Sequence, residues 1–142
     1  MGTSAALRIK SAMTRGGTVE HIYMDNVQAD SVKYILNCDM NWNPSHSYSE
    51  LPAEYKDKDL PPHWKVMLQQ VKPEEGLPHF RNIYLSDIRS ESAETFVNCI
   101  GSEQSVIQNV EINNPNIRAK NTGIIRYTDN FKITNGNIQI AE

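Results

Sequence analysis

The sequence predicts an all-β protein, specifically a right-handed parallel β-helix of about four coils with one long loop that carries a short helix. Three observations predict it: a repeat of short apolar strands, asparagines at the ends of several of them, and a proline-rich segment between two copies of the repeat. Short strands that recur at about 20 to 30 residues are typical of solenoids, in which each coil buries its face against the next. The right hand follows from the handedness of parallel crossover connections.

The strongest repeat places residues 22–27 over residues 83–88, an offset of 61 residues. Continued without a gap, the same offset brings Asn37-Cys38 onto Asn98-Cys99. Residues 107–112 and 131–140 contain weaker copies. Because 61 residues is about twice the length of one coil, we expect the chain to leave the stack between the two strong copies.

This excursion is predicted to span residues 41–79, which contain six of the seven prolines. A central β-ladder does not tolerate prolines at that density, since each one removes a backbone donor. Within the excursion, residues 61–71 read as a short helix with Asp59 as its cap and prolines in its first turn. Its apolar stripe is expected to pack on the side of the coils rather than bind a ligand, and consists of Trp64, Met67, Leu68 and Val71.

The first predicted strand carries two cations. Arg8 and Lys10 flank Ile9, so in an extended strand both basic side chains project from one face and Ile9 from the other. Gly16-Gly17 then permits a sharp change of direction, because both residues adopt positive φ readily. Such a cation pair is suited to a carboxylate, although two basic residues on a surface strand also serve solubility.

Composition limits the class of protein. The 142 residues, 16.1 kDa, fit a single domain over 1–142, and 39% apolar with only 8% aromatic residues favours a β-rich chain. A net charge of -3 gives no reason to expect nucleic acid or an anionic membrane as partner. No apolar run approaches the roughly 20 residues of a membrane span, and no signal peptide is visible at the start.

Cysteine, histidine and asparagine have structural rather than chemical roles in this interpretation. Two cysteines are too few for a disulfide scaffold, and if coils stack about 4.8 Å apart, Cys38 and Cys99 lie on top of one another as buried free thiols rather than a disulfide. No metal or cofactor is predicted, because no metal-ligand spacing joins the histidines. These are His21, His46, His63 and His79. The repeated asparagines are expected in turns between faces, namely Asn26, Asn37, Asn98, Asn109 and Asn114.

The stretch Arg8-Ile9-Lys10, followed by Gly16-Gly17 and the strand at 19–27, resembles the arginine-isoleucine-lysine motif of glycoside hydrolase family 28, the polygalacturonases and their relatives. Residues 42–44, 60–64 and 76–80 resemble a loop insertion found in many bacterial members. The likeness runs from residue 7 to the C-terminus. It implies a pectin-lyase-like β-helix that acts on pectic, galacturonate-containing polysaccharide.

The resemblance also assigns the candidate substrate-binding residues. It implies that Arg8 and Lys10 bind the uronate carboxylate next to the scissile bond, which suits a guanidinium fork with an ammonium beside it. Trp42 lies near the place where the family has an aromatic residue that contacts the sugar, although a large apolar residue that opens a loop is also a common packing anchor. The expected partner is an acidic polysaccharide or oligosaccharide.

The catalytic motifs of that family are absent from this sequence. Family 28 enzymes invert configuration with three aspartates, arranged in an Asn-Thr-Asp segment, an Asp-Asp pair and a Gly-His-Gly segment before the arginine-isoleucine-lysine strand. None of these precedes Arg8, and the Thr128-Asp129 segment is only superficially similar to the first. We therefore expect no catalytic residue here, no glycosidase activity of the chain alone, and a chain that is the C-terminal part of a periplasmic or secreted parent.

Two alternatives remain beside the hydrolase segment. One is a solenoid that binds acidic polysaccharide without cleaving it, and the other is a structural β-helix in which Arg8 and Lys10 have no ligand. A solenoid cut across its coils also presents an uncapped apolar face and unpaired strand edges. We therefore expect end-to-end self-association, marginal stability or aggregation.

Overall fold

The structure, a computed structural model, describes residues 2–43, 50–56 and 58–141. These residues are mostly β-strand, and eight strands pair in parallel within one sheet, which confirms the predicted all-β class. The strands are β1 (Ala5–Lys10), β2 (Thr18–Gln28), β3 (Val32–Asp39), β4 (His79–Ile100), β5 (Ile107–Asn113), β6 (Asn116–Arg126), β7 (Thr128–Thr134) and β8 (Asn137–Ile140). The helical segments are a 3-10 turn (Ala53–Tyr55), α1 (Pro62–Met67) and α2 (Pro73–Gly76).

The strand pairing follows the repeat read from the sequence. Ile22 pairs with Ile83 and Cys38 pairs with Cys99, so the offset of 61 residues joins direct neighbours. The next pairings shorten the offset to 27 residues, between β4 and β5, and then to 21 residues, between β5 and β7. Strand β4 therefore pairs with β2 and with β3 at one constant offset, as the ungapped repeat predicted, and the excursion accounts for the length of that offset.

Strand β4 is the centre of this arrangement. Its residues 81–86 lie between β2 and β5, and residues 93–100 lie between β3 and β6. A straight strand of 22 residues would be about 70 Å long at about 3.3 Å per residue. It bends instead, because Asn82 and Asp87 adopt left-handed φ angles of 57° and 53°.

The same two bends recur in every neighbouring strand of this part of the sheet. Asparagine and aspartate are the non-glycine residues that tolerate the left-handed region best, since their side chains bond nearby polar groups. The first column of left-handed residues contains His21, Asn82, Asn109 and Asn130, and the second contains Asn26, Asp87, Asn114 and Asn135. Side-chain amides join neighbours within each column, for example from Asn109 Nδ2 to Asn82 Oδ1 at 3.0 Å. The bends of successive strands therefore stack on one another.

These columns test the prediction that the asparagines occupy turns. It is confirmed for Asn26, Asn109 and Asn114, which have positive φ. It is wrong for Asn37 and Asn98, which do not have positive φ and are register partners in β3 and β4. The Asn98 amide donates to Asn37 Oδ1 at 2.8 Å, so this pair satisfies side-chain groups within the sheet rather than turning the chain.

The apolar core is one cluster built from the inward side chains of the paired strands. Leu36, Ile83 and Ile112 have no exposed surface. Burial declines towards the last strands, where large aliphatic side chains remain partly exposed to solvent. These are Ile124 (53%), Ile125 (46%), Ile133 (41%) and Ile140 (39%). The molecule therefore presents an apolar surface along its final strands.

The helix of the excursion differs from its prediction. It covers Pro62–Met67 rather than residues 61–71, and none of its residues is buried. A helix this short has little stability of its own, and Pro73 disfavours helical geometry in the residue before it. The apolar stripe does not bury itself on the sheet as expected: Met67 is 64% and Val71 43% exposed, while the Trp64 ring contacts Tyr55 with ring centroids 5.3 Å apart.

The excursion returns to the sheet at the glycine pair. Gly16 and Gly17 have φ angles of 58° and 79°, as predicted for a sharp change of direction. The Gly16 amide donates to the Gly76 carbonyl at 2.8 Å, and the His79 amide donates to the Gly17 carbonyl at 2.9 Å. The end of the excursion is therefore fixed against the loop that follows β1.

Candidate functional site

The first strand places its two cations on one exposed face. Ile9 is 6% exposed and belongs to the core, whereas Arg8 and Lys10 are exposed. The predicted alternation along β1 is therefore confirmed. Its physical cause is the two-residue period of a strand, which turns Ile9 inward and the residues on either side of it outward.

Backbone bonds bring Trp42 to the same place. The Ser11 amide donates to the Asp39 carbonyl at 3.0 Å, and the Trp42 amide donates to the Ser11 carbonyl at 2.9 Å. These bonds extend the pairing of β1 with β3 beyond the ends of both strands. Trp42 consequently lies beside the end of β1, where the two cations emerge.

The structure brings all three predicted binding residues together. Lys10 Nζ lies 3.6 Å from the centroid of the Trp42 ring, and Arg8 Cζ lies 6.0 Å from it. A cation over an indole face is attracted by about 0.5 to 1 kcal/mol at an exposed site. This attraction offsets part of the repulsion between the two positive side chains, and it holds them on a common surface that we call the cation cluster: Arg8, Lys10 and Trp42.

No carboxylate neutralises these cations within the described part of the chain. The ion pairs there join His21 and Arg81 to Glu20, and two lysines to carboxylates of the excursion, at 4.0 Å or less. Lys10 is the register partner of Asp39, yet its ammonium lies against the indole rather than in an ion pair with that residue. The cluster can therefore accept an anionic group.

An amide pair that sequence reasoning assigned to turns lies next to the cluster. Asn37 is the register partner of Arg8, is 3% exposed, and accepts the hydrogen bond from Asn98. The sequence did contain a signal for it, because Asn-Cys recurs at the same place in both copies of the repeat. The pair therefore lies beside Arg8 in the sheet, on the strand that pairs with β1.

A cavity of about 300 Å³ opens beside the cluster and was not predicted from the sequence. Asp39 forms part of its wall and ties it to Lys10, its partner on β1. Apolar side chains from three parts of the chain contribute to the lining, together with polar groups from the loop that precedes β5. The lining includes Met13, Asp39, Met40, Ile100, Glu103 and Tyr127.

Tyr127 has an unusual conformation in this cavity. Its φ of 51° lies in the left-handed region, which is uncommon for an aromatic residue. Its hydroxyl donates to Glu103 Oε1 at 3.1 Å and accepts from Arg126 Nη2 at 3.1 Å. No periodicity in the sequence marks this group, since its members are brought together by the turn at residues 101–107 and the end of β6.

Comparison with known proteins gives no relative. No protein-family model, curated protein or solved structure matches this chain. The ligand chemistry of the site is therefore inferred from Arg8, Lys10 and Trp42 themselves and from their neighbours.

The two cysteines are register partners in the core. Both are free and buried, as the sequence predicted, and neither reaches the cation cluster's exposed surface. A hydrogen bond with Cys99 and burial in the core raise the pKa of the Cys38 thiol well above its usual range. Cys38 therefore remains a neutral thiol that packs like a small apolar residue.

The remaining predicted groups show no site of their own. Among the described residues, no three histidine, cysteine, aspartate or glutamate side chains converge as metal ligands, and no helix has the length and apolarity of a membrane span. His79 Nδ1 lies 3.1 Å from the Ser105 hydroxyl, and His63 contacts the Trp64 ring edge-on. His46 lies outside the described residues.

Proposed function

We propose that this chain is a right-handed parallel β-helix that binds uronate-containing polysaccharide, as a segment of a polygalacturonase-like glycoside hydrolase that acts on pectic polysaccharide by inverting hydrolysis. The observation that carries the proposal is the convergence of the exposed cations Arg8 and Lys10 on the half-buried Trp42 ring. The segment holds binding residues, while the catalytic aspartates belong to another part of the parent.

The strand pairing supports a coiled path. Parallel neighbours at offsets of 61, 27 and 21 residues require that the chain return to the same edge of the sheet after each circuit. The two columns of left-handed residues bend every circuit at equivalent places. Parallel crossovers are right-handed in nearly all known cases, which gives the proposed hand.

The chemistry of the cluster supports a uronate. A carboxylate placed between a guanidinium and an ammonium forms charge-assisted hydrogen bonds, each worth about 1.5 to 3 kcal/mol at best. The Lys10 ammonium lies over the Trp42 ring, so a sugar whose carboxylate contacts Lys10 would lie against the indole. The three side chains thus offer one site for charge and one for the apolar face of a pyranose.

The catalytic part of the proposal is limited to what the sequence contains. Inversion needs two carboxyl groups roughly 6.5 to 9.5 Å apart, one as acid and one as base for a water. The aspartate motifs that supply them in family 28 are missing from this sequence. That absence favours the second candidate function, a β-helix that binds acidic polysaccharide without cleaving it or has a purely structural role.

Titration of oligogalacturonate into the purified chain, followed by isothermal titration calorimetry, tests the binding. We expect Arg8→Ala and Lys10→Ala each to weaken binding by about 10-fold or more, the factor that corresponds to about 1.4 kcal/mol. Arg89→Ala is the matched control, because Arg89 is an exposed cation on β4, whereas Arg8 and Lys10 lie on β1. An equal loss of affinity in all three variants would show that binding depends only on net charge, and it would refute the site.

A reducing-end assay separates the hydrolase segment from an active enzyme. The chain alone is expected to release no reducing ends from polygalacturonate. Release that Arg8→Ala abolishes would contradict the assignment of the catalytic carboxylates to another part of the parent. If the chain binds no oligogalacturonate at all, the structural β-helix becomes the better interpretation.

A further inference from the structure

We propose that the cavity beside the cation cluster is a subsite for an uncharged sugar unit adjacent to the bound uronate. The inference rests on the proposed function, since it assumes that a saccharide is anchored at Arg8 and Lys10. It adds a preference in the ligand: a uronate linked to a neutral sugar binds better than two linked uronates.

The position of the cavity supports this subsite. Asp39 contributes to the cavity wall and pairs with Lys10 on the neighbouring strand, about 4.8 Å away. Asn41, at the same rim, precedes Trp42, and its backbone N–H donates to Asp39 Oδ1 at 3.0 Å. A saccharide whose carboxylate contacts Lys10 thus has its next unit within reach of the cavity.

The lining suits a sugar ring. Met13 and Ile100 are half-buried and Met40 is 1% exposed, so the inner part of the cavity is apolar. The rim carries hydrogen-bonding groups, among them Glu103 and the Tyr127 hydroxyl. Ligand sites typically combine an apolar surface with a few placed polar groups, and a pyranose presents C–H groups on its faces and hydroxyls at its edge.

The charge of the cavity disfavours a second uronate. Asp39 and Glu103 contribute two carboxylates to its lining, which includes no lysine or arginine. Two cations lie outside that lining and only reduce its negative charge: Arg126 contacts Tyr127, with its guanidinium 4.8 Å from the ring centroid, and the Lys10 ammonium is turned to the Trp42 ring. The remaining negative charge repels an anionic unit and accepts hydrogen bonds from hydroxyls.

The orientation of Tyr127 supports a recognition role. Its left-handed backbone is held by the Ile107 amide, which donates to the Tyr127 carbonyl at 3.0 Å. Its hydroxyl oxygen accepts one bond from Arg126 and donates one to Glu103, which leaves one lone pair for a ligand. Strained residues of this kind are retained where the surrounding structure fixes them, and they concentrate at ligand sites.

The test compares an aldobiouronic acid, in which a uronate is linked to a neutral sugar, with the matching diuronate and with galacturonate alone. NMR or calorimetric titration of the whole chain measures the three affinities. We expect the aldobiouronic acid to bind about fivefold more tightly than the diuronate, the factor for one like-charge contact at about 4 Å in water. Glu103→Gln should reduce that ratio below about twofold by strengthening the diuronate, and Glu111→Gln on β5 is the control that leaves it unchanged.

Tyr127→Phe keeps the ring and removes the hydroxyl, so it should weaken the aldobiouronic acid severalfold and leave galacturonate unaffected. Equal affinity of the wild-type chain for the two disaccharides, or a preference that survives Glu103→Gln, overturns the subsite alone. Galacturonate affinity that is absent or insensitive to Arg8→Ala overturns the proposed function and the subsite together.

Discussion

The end of the excursion approaches the loop after β1 so closely that we expect any residue larger than glycine at Gly76 to destabilise the protein. A Cβ added at Gly76 would lie 2.7 Å from the Met13 carbonyl oxygen and 3.1 Å from Thr14 Cα, so Gly76→Ala forces backbone apart. Overpacking of this kind costs about 1 to 3 kcal/mol. Gly76 does not have a positive φ, and alanine is the better helix former, so without the contact the substitution would stabilise α2.

The facing glycines provide an internal comparison. At Gly16 an added Cβ would collide with the Glu75 carbonyl oxygen, and the residue also has positive φ, so overpacking and the left-handed penalty of about 1 to 2 kcal/mol combine. At Gly17 nothing lies within 4 Å of the added Cβ, and only the left-handed penalty remains. We therefore expect Gly16→Ala to cost about 2 to 5 kcal/mol and Gly17→Ala about 1 to 2 kcal/mol.

Urea unfolding monitored by circular dichroism measures these costs, and an unchanged slope with denaturant confirms that the comparison is of stability alone. The junction also lies between β1 and the end of the excursion, so Gly16→Ala should weaken oligogalacturonate binding more than Gly17→Ala. If Gly17→Ala destabilises as much as Gly16→Ala, or if Gly76→Ala stabilises, the close backbone contact does not exist.

Three further predictions concern the sheet and its ends. Asn98→Ala leaves the buried Asn37 amide without its partner and should cost about 1 to 3 kcal/mol in urea unfolding. Arg81 lowers the pKa of Glu20 through a hydrogen bond, so Arg81→Leu should raise that pKa in an NMR titration. The contribution of this Glu20–Arg81 pair to folding stability is present above about pH 4.3 and is lost as pH falls through the lowered pKa. The exposed aliphatic side chains of the last strands should drive self-association, and Ile133→Lys should weaken it, as measured by light scattering. Equal masses of the wild-type chain and the variant that do not change with protein concentration would contradict this prediction.

The fold was predictable where its signal is periodic. The alternation around Ile9 and the copies at Ile22 and Ile83 depend only on which side chains must be buried, and that pattern is written directly in the residue types. The exposed helix of the excursion was harder, since six helical residues between prolines gain little from propensity, and burial against the sheet had to be guessed. Asn37 was misassigned because asparagine serves bends and strand ladders alike, and only the strand pairing decides which.

The site was predictable in part for the same reason. Arg8 and Lys10 share one strand, so local geometry sets their common face. Trp42 joins them through backbone bonds that prolong the strand pairing, which the sequence does not show. Tyr127 and Glu103 come from distant segments, and their approach depends on turns whose geometry no pattern of residue types specifies.

Strand β4 pairs with β2 and with β3 at the same offset of 61 residues, although the excursion lies between β3 and β4 in the chain. Segments of different length or composition could therefore occupy this place while the neighbouring strands keep their partners. The departing end of that segment supplies Trp42, so under the proposed function ligand preference depends on a segment outside the sheet. Replacement of this segment would then change the proposed ligand preference while the strand pairs on either side of β4 stay the same.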